Sequence, residues 1–354
     1  GKKFRWGREA GGAVGELSTE GLSAVLQLFT AEIGLGNSAQ FLRNLFEEAY
    51  LKHTNLTDAT RYLANRLFGE YGLIIVDGND TALKTLFIPH AQEELSHQTS
   101  FKKIMETVKA INALGSGYTI QVNPREINLF YLADGLRERI VFENGFYLVN
   151  ETNIKFTYDE IIAELKNHPE RFSPNVMMRP LYQEVILPNL CYIGGGGELA
   201  YWLQLKGYFE AVKVPFPMLM LRNSALLATE KQHQKLKKLN IAYAQLFLKR
   251  DTFINRKVRE ISNIDIDFSK QKKQLQEQFE HLYQLAKLTD TTFLNAVKAQ
   301  EVKQLKGLDA LEKRLLKAQK HKLADEVARM VDLQNQLFPN GSLQERTANF
   351  SEFY

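Results

Sequence analysis

The spacing of hydrophobic positions changes along the chain, and the changes divide it. Residues 1–16 carry glycine at positions 7, 11, 12 and 15, which argues for a loop. From 19 to 66 apolar side chains recur at three- and four-residue steps, as in Leu22, Val25, Leu26 and Phe29, and again in Phe41, Leu45 and Ala49. That period predicts two helices, parted at Gly34 and Gly36. A short apolar run then ends in Asp77-Gly78-Asn79-Asp80, which predicts a buried strand over 73–80. Residues 83–111 are helical in period, with Pro89 at the expected helix start. Strands are expected at 118–122, 128–132, 139–143 and 146–150, with Asn144-Gly145 marking a hairpin. An amphipathic helix is expected at 157–167 and a buried strand at 185–193, in spite of Pro188. A helix over 198–212 and a strand over 217–224 follow.

Beyond Pro217 the texture changes. No proline occurs until Pro339, and Gly307 is the one glycine between them. Leu316, Leu323, Val327, Met330, Gln334 and Leu337 form a heptad-like seam. The segment predicts long polyampholytic helices, folded as an antiparallel hairpin that turns near Gly307 or near Asn263.

Composition narrows the class. The 354 residues suggest two or three domains, and 44% hydrophobic with 24% charged residues excludes a disordered or collagen-like chain. A net charge of +4, from 45 basic and 41 acidic residues, gives no argument for nucleic acid or a membrane surface. No apolar run is long enough to predict a membrane span. Cys191 is the sole cysteine, so no internal disulfide can form, and a reducing, cytoplasmic setting is expected. The chain starts without Met and without a signal peptide, and it reads as a piece of a longer protein.

The strongest local feature is Tyr192-Ile193-Gly194-Gly195-Gly196-Gly197-Glu198, between a strand and a helix. Such glycines let a backbone approach a ligand, and the helix start offers free N–H groups to an anion. A tight structural turn is the competing reading. Neither a complete dinucleotide fingerprint nor a Walker motif is present. Upstream, Ser173, Asn175, Arg179 and Gln183 converge within a proline-bracketed segment, where Arg179 could clamp a carboxylate or phosphate or form a surface ion pair. Asn123 and Arg125, with Arg137 and Arg139 nearby, suggest a second arginine cluster, or a solvated turn. Asp77 and Asp80 are either ligand contacts at a strand end or turn residues. His90, Glu94 and His97 share a helix face at metal-holding offsets, but no metal is expected. Cys191, in an apolar run, reads as an inert core thiol.

The strings VNPREINLFYLADGLRERI, SPNVMMRPLYQEVILPNLCYIGGGGELAYWLQLKGYF, PMLMLRNS and LQERTANFSEFY resemble the bacillithiol biosynthesis cysteine-adding enzyme family, BshC. The resemblance covers essentially the whole chain, and implies that an N-terminal part and a short C-terminal end of the family's chain are absent. The family places proline where Gly196 stands. The fold implied is α/β: a Rossmann-like, nucleotidyltransferase-like parallel-sheet core with inserted connecting segments (1–225), a helical coiled-coil domain (226–338) and a C-terminal segment returning toward the core (339–354). The reaction implied is ligation of cysteine to glucosaminyl-malate, with ATP as suspected co-substrate and a homodimer formed through the coiled coil. On this resemblance Glu198 and Arg179 are the candidate catalytic residues. Asn123, Arg125, Ser173, Asn175, Gln183, Tyr192, Gly194, Gly195, Gly196, Gly197 and Arg222 are candidates for substrate or nucleotide binding. A non-catalytic coiled-coil interaction protein or a nucleotide-binding regulator are the alternatives.

Overall fold

The computed structural model describes residues 4–7, 11–115, 117–289, 291–349 and 352. The chain forms two compact units, Gly1–Arg222 and Asn223–Tyr354.

The first unit begins with α1 (Leu22–Ile33), α2 (Ala39–Tyr50) and α3 (Leu56–Phe68). The third is opened by the Asn55 side chain, which accepts from Asp58 N. The expected strand at 73–80 is not formed. Residues 73–77 run without a ladder partner, and Ile74 is 84% exposed. Apolar character alone cannot make a strand where no neighbour offers hydrogen bonds. Asp80 instead caps α4 (Thr81–His97), accepting from Ala82 N and Leu83 N, while Asp77 accepts from Asn79 N. Both aspartates therefore do turn chemistry. Pro89 lies inside α4 rather than at its start. The expected single helix is broken at Gln98, whose φ of 52° is left-handed, and α5 (Thr99–Ala113) follows.

A five-stranded antiparallel sheet packs against these helices: β1 (Leu129–Ala133), β2 (Leu136–Glu143), β3 (Phe146–Val149), β4 (Lys155–Phe156) and, after α6 (Tyr158–Asn167), β5 (Phe172–Pro174). The strand order is β4-β3-β2-β1-β5. Asn144 and Gly145, with φ of 52° and 82°, make the predicted hairpin turn. Thr157 and Glu160 close a capping box on α6. Residues 118–122 are not a strand. Their backbone meets a buried side-chain amide: Gln204 Oε1 accepts from Gln121 N at 3.0 Å, and Gln204 Nε2 donates to Val122 O at 2.8 Å.

The expected strand at 185–193 also divides. α7 (Arg179–Ile186) takes its first residues, and Glu184 then holds the Asn189 loop through Asn189 N at 2.9 Å. Pro188, which cannot serve a central strand, lies in that loop. β6 (Cys191–Gly194) follows, with Cys191 half-buried rather than in the core, then α8 (Gly196–Leu203), α9 (Lys206–Ala211) and β7 (Met218–Leu221). The expected helix over 198–212 is thus two. β6 and β7 pair in parallel. The parallel sheet expected as the core is limited, among the described residues, to these two strands, and the larger sheet is antiparallel because its strands connect as hairpins and short returns. The core gathers Phe87, Leu95, Ile104, Ile140, Phe172, Trp202 and Phe209.

The second unit is helical: α10 (Glu230–Lys238), α11 (Tyr243–Leu246), α12 (Arg250–Ile261), α13 (Ser269–Ala286), α14 (Thr291–Lys322) and α15 (Ala324–Leu337). The antiparallel hairpin is α13 on α14, and it turns between Ala286 and Thr291. Gly307 lies within α14, and Asn263 lies in the connection from α12 to α13. Phe279, Ala286 and Val297 fill the hairpin seam. The predicted heptad stripe serves another contact: its Leu316, Met330 and Leu337, joined by Leu333, pack with Phe253 and Val258 of α12. Gln334, buried within that stripe, donates to Leu246 O at 3.1 Å and Leu248 O at 3.2 Å. The C-terminal segment docks within the same unit, where Gln344 bonds both N–H and C=O of Leu227. Among the described residues no helix is long and apolar enough to cross a membrane.

Candidate functional site

The glycine turn is built from β6 into α8. Glu198 Oε2 accepts from Gly195 N at 2.8 Å, so the first-turn acid reaches back to fasten the helix start. A Cβ on Gly194 would stand 2.6 Å from the Tyr192 ring and 3.1 Å from Leu199, so the turn closes only on a glycine there. Arg222 N donates to Gly194 O at 2.9 Å, which ties the end of β7 to this turn. Tyr192 stacks on buried Trp202, with ring centroids 4.2 Å apart.

Gly196 is the first residue of α8, the position at which proline is favoured. Gly195 before it has φ −70° and ψ 161°, which a following proline tolerates. A Cβ at Gly196 meets only Leu221 at 4.0 Å. Gly196→Pro is therefore expected to stabilise the protein by about 0.4–1 kcal/mol, chiefly by restricting the unfolded chain. Urea unfolding would read the gain, and a loss would show that the N–H of Gly196 is needed.

A cavity of about 490 Å³, lined by none of the glycine-turn residues, is walled by residues of α4, β5, α7 and the 76–79 loop together with Glu16, Thr57 and Arg137. Ser173, Arg179 and Gln183 of the sequence candidates line it. Arg179, solvent-exposed at the start of α7, joins cavity and turn. Its Nη1 donates to Gln183 Oε1 at 3.0 Å, and its Nη2 donates to Tyr201 OH on α8 at 3.3 Å.

The structure does not bring all the candidates together. Arg125 lines a separate cavity of about 290 Å³ beside Arg139, and exposed Asn123 lines neither. Asn175 is held in backbone architecture. Its Oδ1 accepts from Met177 N at 2.8 Å, and its Nδ2 donates to Asn128 Oδ1 at 2.8 Å. Glu94, one of the three residues at metal-like spacing, turns inward to Ser100 and Asn128. Among the described residues no group of three His, Cys, Asp or Glu could hold a metal ion.

The residue that sequence reasoning missed is Lys84. It lines the cavity, is only 3% exposed, and donates from Nζ to Phe172 O at 2.6 Å. Burial pushes its pKa down to about 8, against the pull of Asp77 and with help from Arg137. Tyr182, whose ring lies 5.7 Å from that ammonium, donates to Gly78 O at 2.8 Å, and burial lifts its pKa to about 12. A signal existed: Lys84, Phe87, Ala91 and Leu95 share one helical stripe, so a charge stands in a core register.

Comparison with known proteins places the chain. The model of the bacillithiol biosynthesis BshC N-terminal Rossmann-like domain matches residues 1–223, and that of the BshC C-terminal coiled-coil domain matches 225–354. The chain belongs to the BshC family. A Christiangramia forsetii relative, named "Putative cysteine ligase BshC", is 64% identical over 100% of this chain and 66% of its own length. Relatives of the same name from Flavobacterium johnsoniae and Flavobacterium psychrophilum are 59% and 55% identical with the same coverage. The chain thus spans just under two thirds of the length of the relatives it matches.

Proposed function

We propose that the protein is a cytoplasmic ligase that joins the carboxyl group of L-cysteine to the amine of glucosaminyl-malate in bacillithiol biosynthesis. The observation that carries this reading is the match to BshC across both units, with relatives that bear the cysteine ligase name. A carboxylate is a poor acyl donor, so ATP is proposed as co-substrate. The cysteine carboxylate attacks the α-phosphorus, pyrophosphate leaves, and a cysteinyl-adenylate forms. The sugar amine then attacks the acyl carbon, nitrogen loses a proton, the amide forms and AMP departs. Arg179 would hold the negative charge of phosphate or carboxylate during these steps. The Gly194–Gly197 turn and the start of α8 would receive an anionic group. Glu198, exposed at that helix start, would take the amine proton at the carboxylate oxygen not bonded to Gly195. Homodimerisation through the helical unit is part of the same reading, with α13 and α14 as its natural contact.

The test is cellular. In a strain lacking the gene, the complete gene or its Arg179→Ala variant is restored, and bacillithiol and glucosaminyl-malate are measured by mass spectrometry. The complete gene is expected to restore bacillithiol, while the variant leaves glucosaminyl-malate accumulating, with a loss of about 100-fold or more in product. Bacillithiol unaffected by deletion would remove the ligase reading.

A further inference from the structure

Arg179 is a long side chain at an exposed helix start, and the two hydrogen bonds donated from its tips do different work. Gln183 sits one turn further along α7, so its bond to Nη1 fixes the guanidinium only with respect to its own helix. Tyr201 lies on α8, and its hydroxyl accepts from Nη2 at 3.3 Å. That bond refers the guanidinium to the helix that carries the glycine turn. Tyr201 follows Glu198 at the spacing that puts both on one face of α8. α8 is itself held firmly. Trp202, next to Tyr201, is fully buried and stacked on the Tyr192 ring. Tyr118 OH donates to Ala200 O, and buried Gln204, just past the helix, bonds the 121–122 backbone. α7 is anchored as well, by buried Leu181 and by the bond from Tyr182 OH to Gly78 O. The rotatable link between two fixed helices is therefore the Arg179 side chain. Burial weighs against its charge, and the Tyr201 and Tyr192 hydroxyls outweigh burial, so its pKa is raised.

We propose that Tyr201 is a positioning residue for Arg179: its hydroxyl aims the guanidinium toward the glycine turn, so that charge carried on α7 and the helix start of α8 act on one anionic group. The inference rests on the ligase reading for the chemistry that Arg179 serves. Aim matters because a misplacement of about 1 Å can cost as much as about 100-fold in rate. Phenylalanine at this position keeps the ring and its packing and removes the hydroxyl alone. Arg179 would then keep its charge and its bond to Gln183, but it could swing away from α8.

The test restores the complete gene at limiting expression in a strain lacking it, so that the ratio of bacillithiol to glucosaminyl-malate tracks activity. Tyr201→Phe is expected to lower that ratio about tenfold, with no fall in the unfolding temperature of the purified protein. In an Arg179→Ala background, where no guanidinium is left to aim, the same change is expected to add less than about twofold. In protein labelled with isotopic nitrogen at arginine, the Nη resonances of Arg179 are expected to be separate in wild type and to merge in Tyr201→Phe, as rotation of the guanidinium is freed. A wild-type ratio in Tyr201→Phe would overturn the proposal while leaving the ligase reading in place. Losses that multiply with those of Arg179→Ala would also overturn it, since they mark a packing role. If deletion of the gene leaves bacillithiol unchanged, the ligase reading falls, and the arginine resonances alone decide whether Tyr201 holds Arg179: resonances that are already merged in wild type would overturn that too.

Discussion

Glu94→Ala is expected to cost the first unit about 3–5 kcal/mol, more than any substitution at the cavity. Glu94 is almost wholly buried where α4 turns into α5. Its carboxylate accepts from Ser100 Oγ at 2.6 Å, Ser100 N at 3.1 Å, Asn128 N at 2.9 Å and Asn128 Nδ2 at 3.3 Å. Burial raises its pKa, and the bonds from Ser100 and Asn128 only partly offset that rise. Asn128 passes the order on: its Oδ1 accepts from Arg125 N and Asn175 Nδ2, and Asn175 in turn fixes the turn that opens α7. Alanine would strand three buried donors at once, since Asn128 Nδ2 keeps Ser100 Oγ and Arg125 O as acceptors, and would loosen the segment that aims Arg179. Glu94→Gln should cost less, about 1–3 kcal/mol, because only the Ser100 N–H would face a donor instead of an acceptor. Urea unfolding would read both losses, and amide exchange should quicken at 123–128 and 175–179. A loss under about 1 kcal/mol for alanine would show that water replaces the carboxylate at little cost.

The sequence was most legible where a local signal is also the structural cause. The Asn144-Gly145 hairpin turn and the amphipathic helix from Thr157 follow from residues a few positions apart. It was least legible where the partner is remote. Residues 73–77 and 118–122 look like strands by composition, but a strand exists only beside a ladder. One of these segments has none, and the other is met by the Gln204 amide more than 80 positions away. The heptad stripe from Leu316 to Leu337 predicts the seam of the helical hairpin. It proved to pack against α12, because apolar period reports that a face is buried and not against what.

The candidate site was legible to the same degree. Tyr192, Gly194 and Glu198 are contiguous in sequence and form one turn, and the nearby Ser173, Arg179 and Gln183 share one cavity wall. Of the arginine cluster expected from Arg125, Arg137 and Arg139, Arg125 and Arg139 share one cavity while Arg137 lines the other with Arg179, so the resemblance that joins Arg125 to Arg179 in one site finds them in separate cavities. Lys84 escaped because a lone lysine in a helical run reads as a solvated charge, and only its register with Phe87 and Ala91 betrays burial.

That burial makes Lys84→Met an unusual expected gain. The fold lowers the lysine's pKa from 10.5 to about 8, which corresponds to a penalty on the order of 3 kcal/mol on the charged form. The sign follows from proton binding. Between pH 8 and 10.5 the unfolded chain holds more protons at this position than the folded one, so wild-type stability rises with pH across that window. Below pH 8 the full penalty is present. Methionine keeps the volume and carries no charge, and it forfeits the bond to Phe172 O, worth about 1 kcal/mol. The variant should therefore be more stable than wild type by about 2 kcal/mol at pH 7, and the advantage should vanish or reverse by pH 10.5. Urea unfolding at pH 7 and at pH 10.5 would measure both limbs. A variant that gains stability at pH 7 is what a charge kept for function predicts. A variant less stable at every pH would instead make Lys84 a structural tie between α4 and β5.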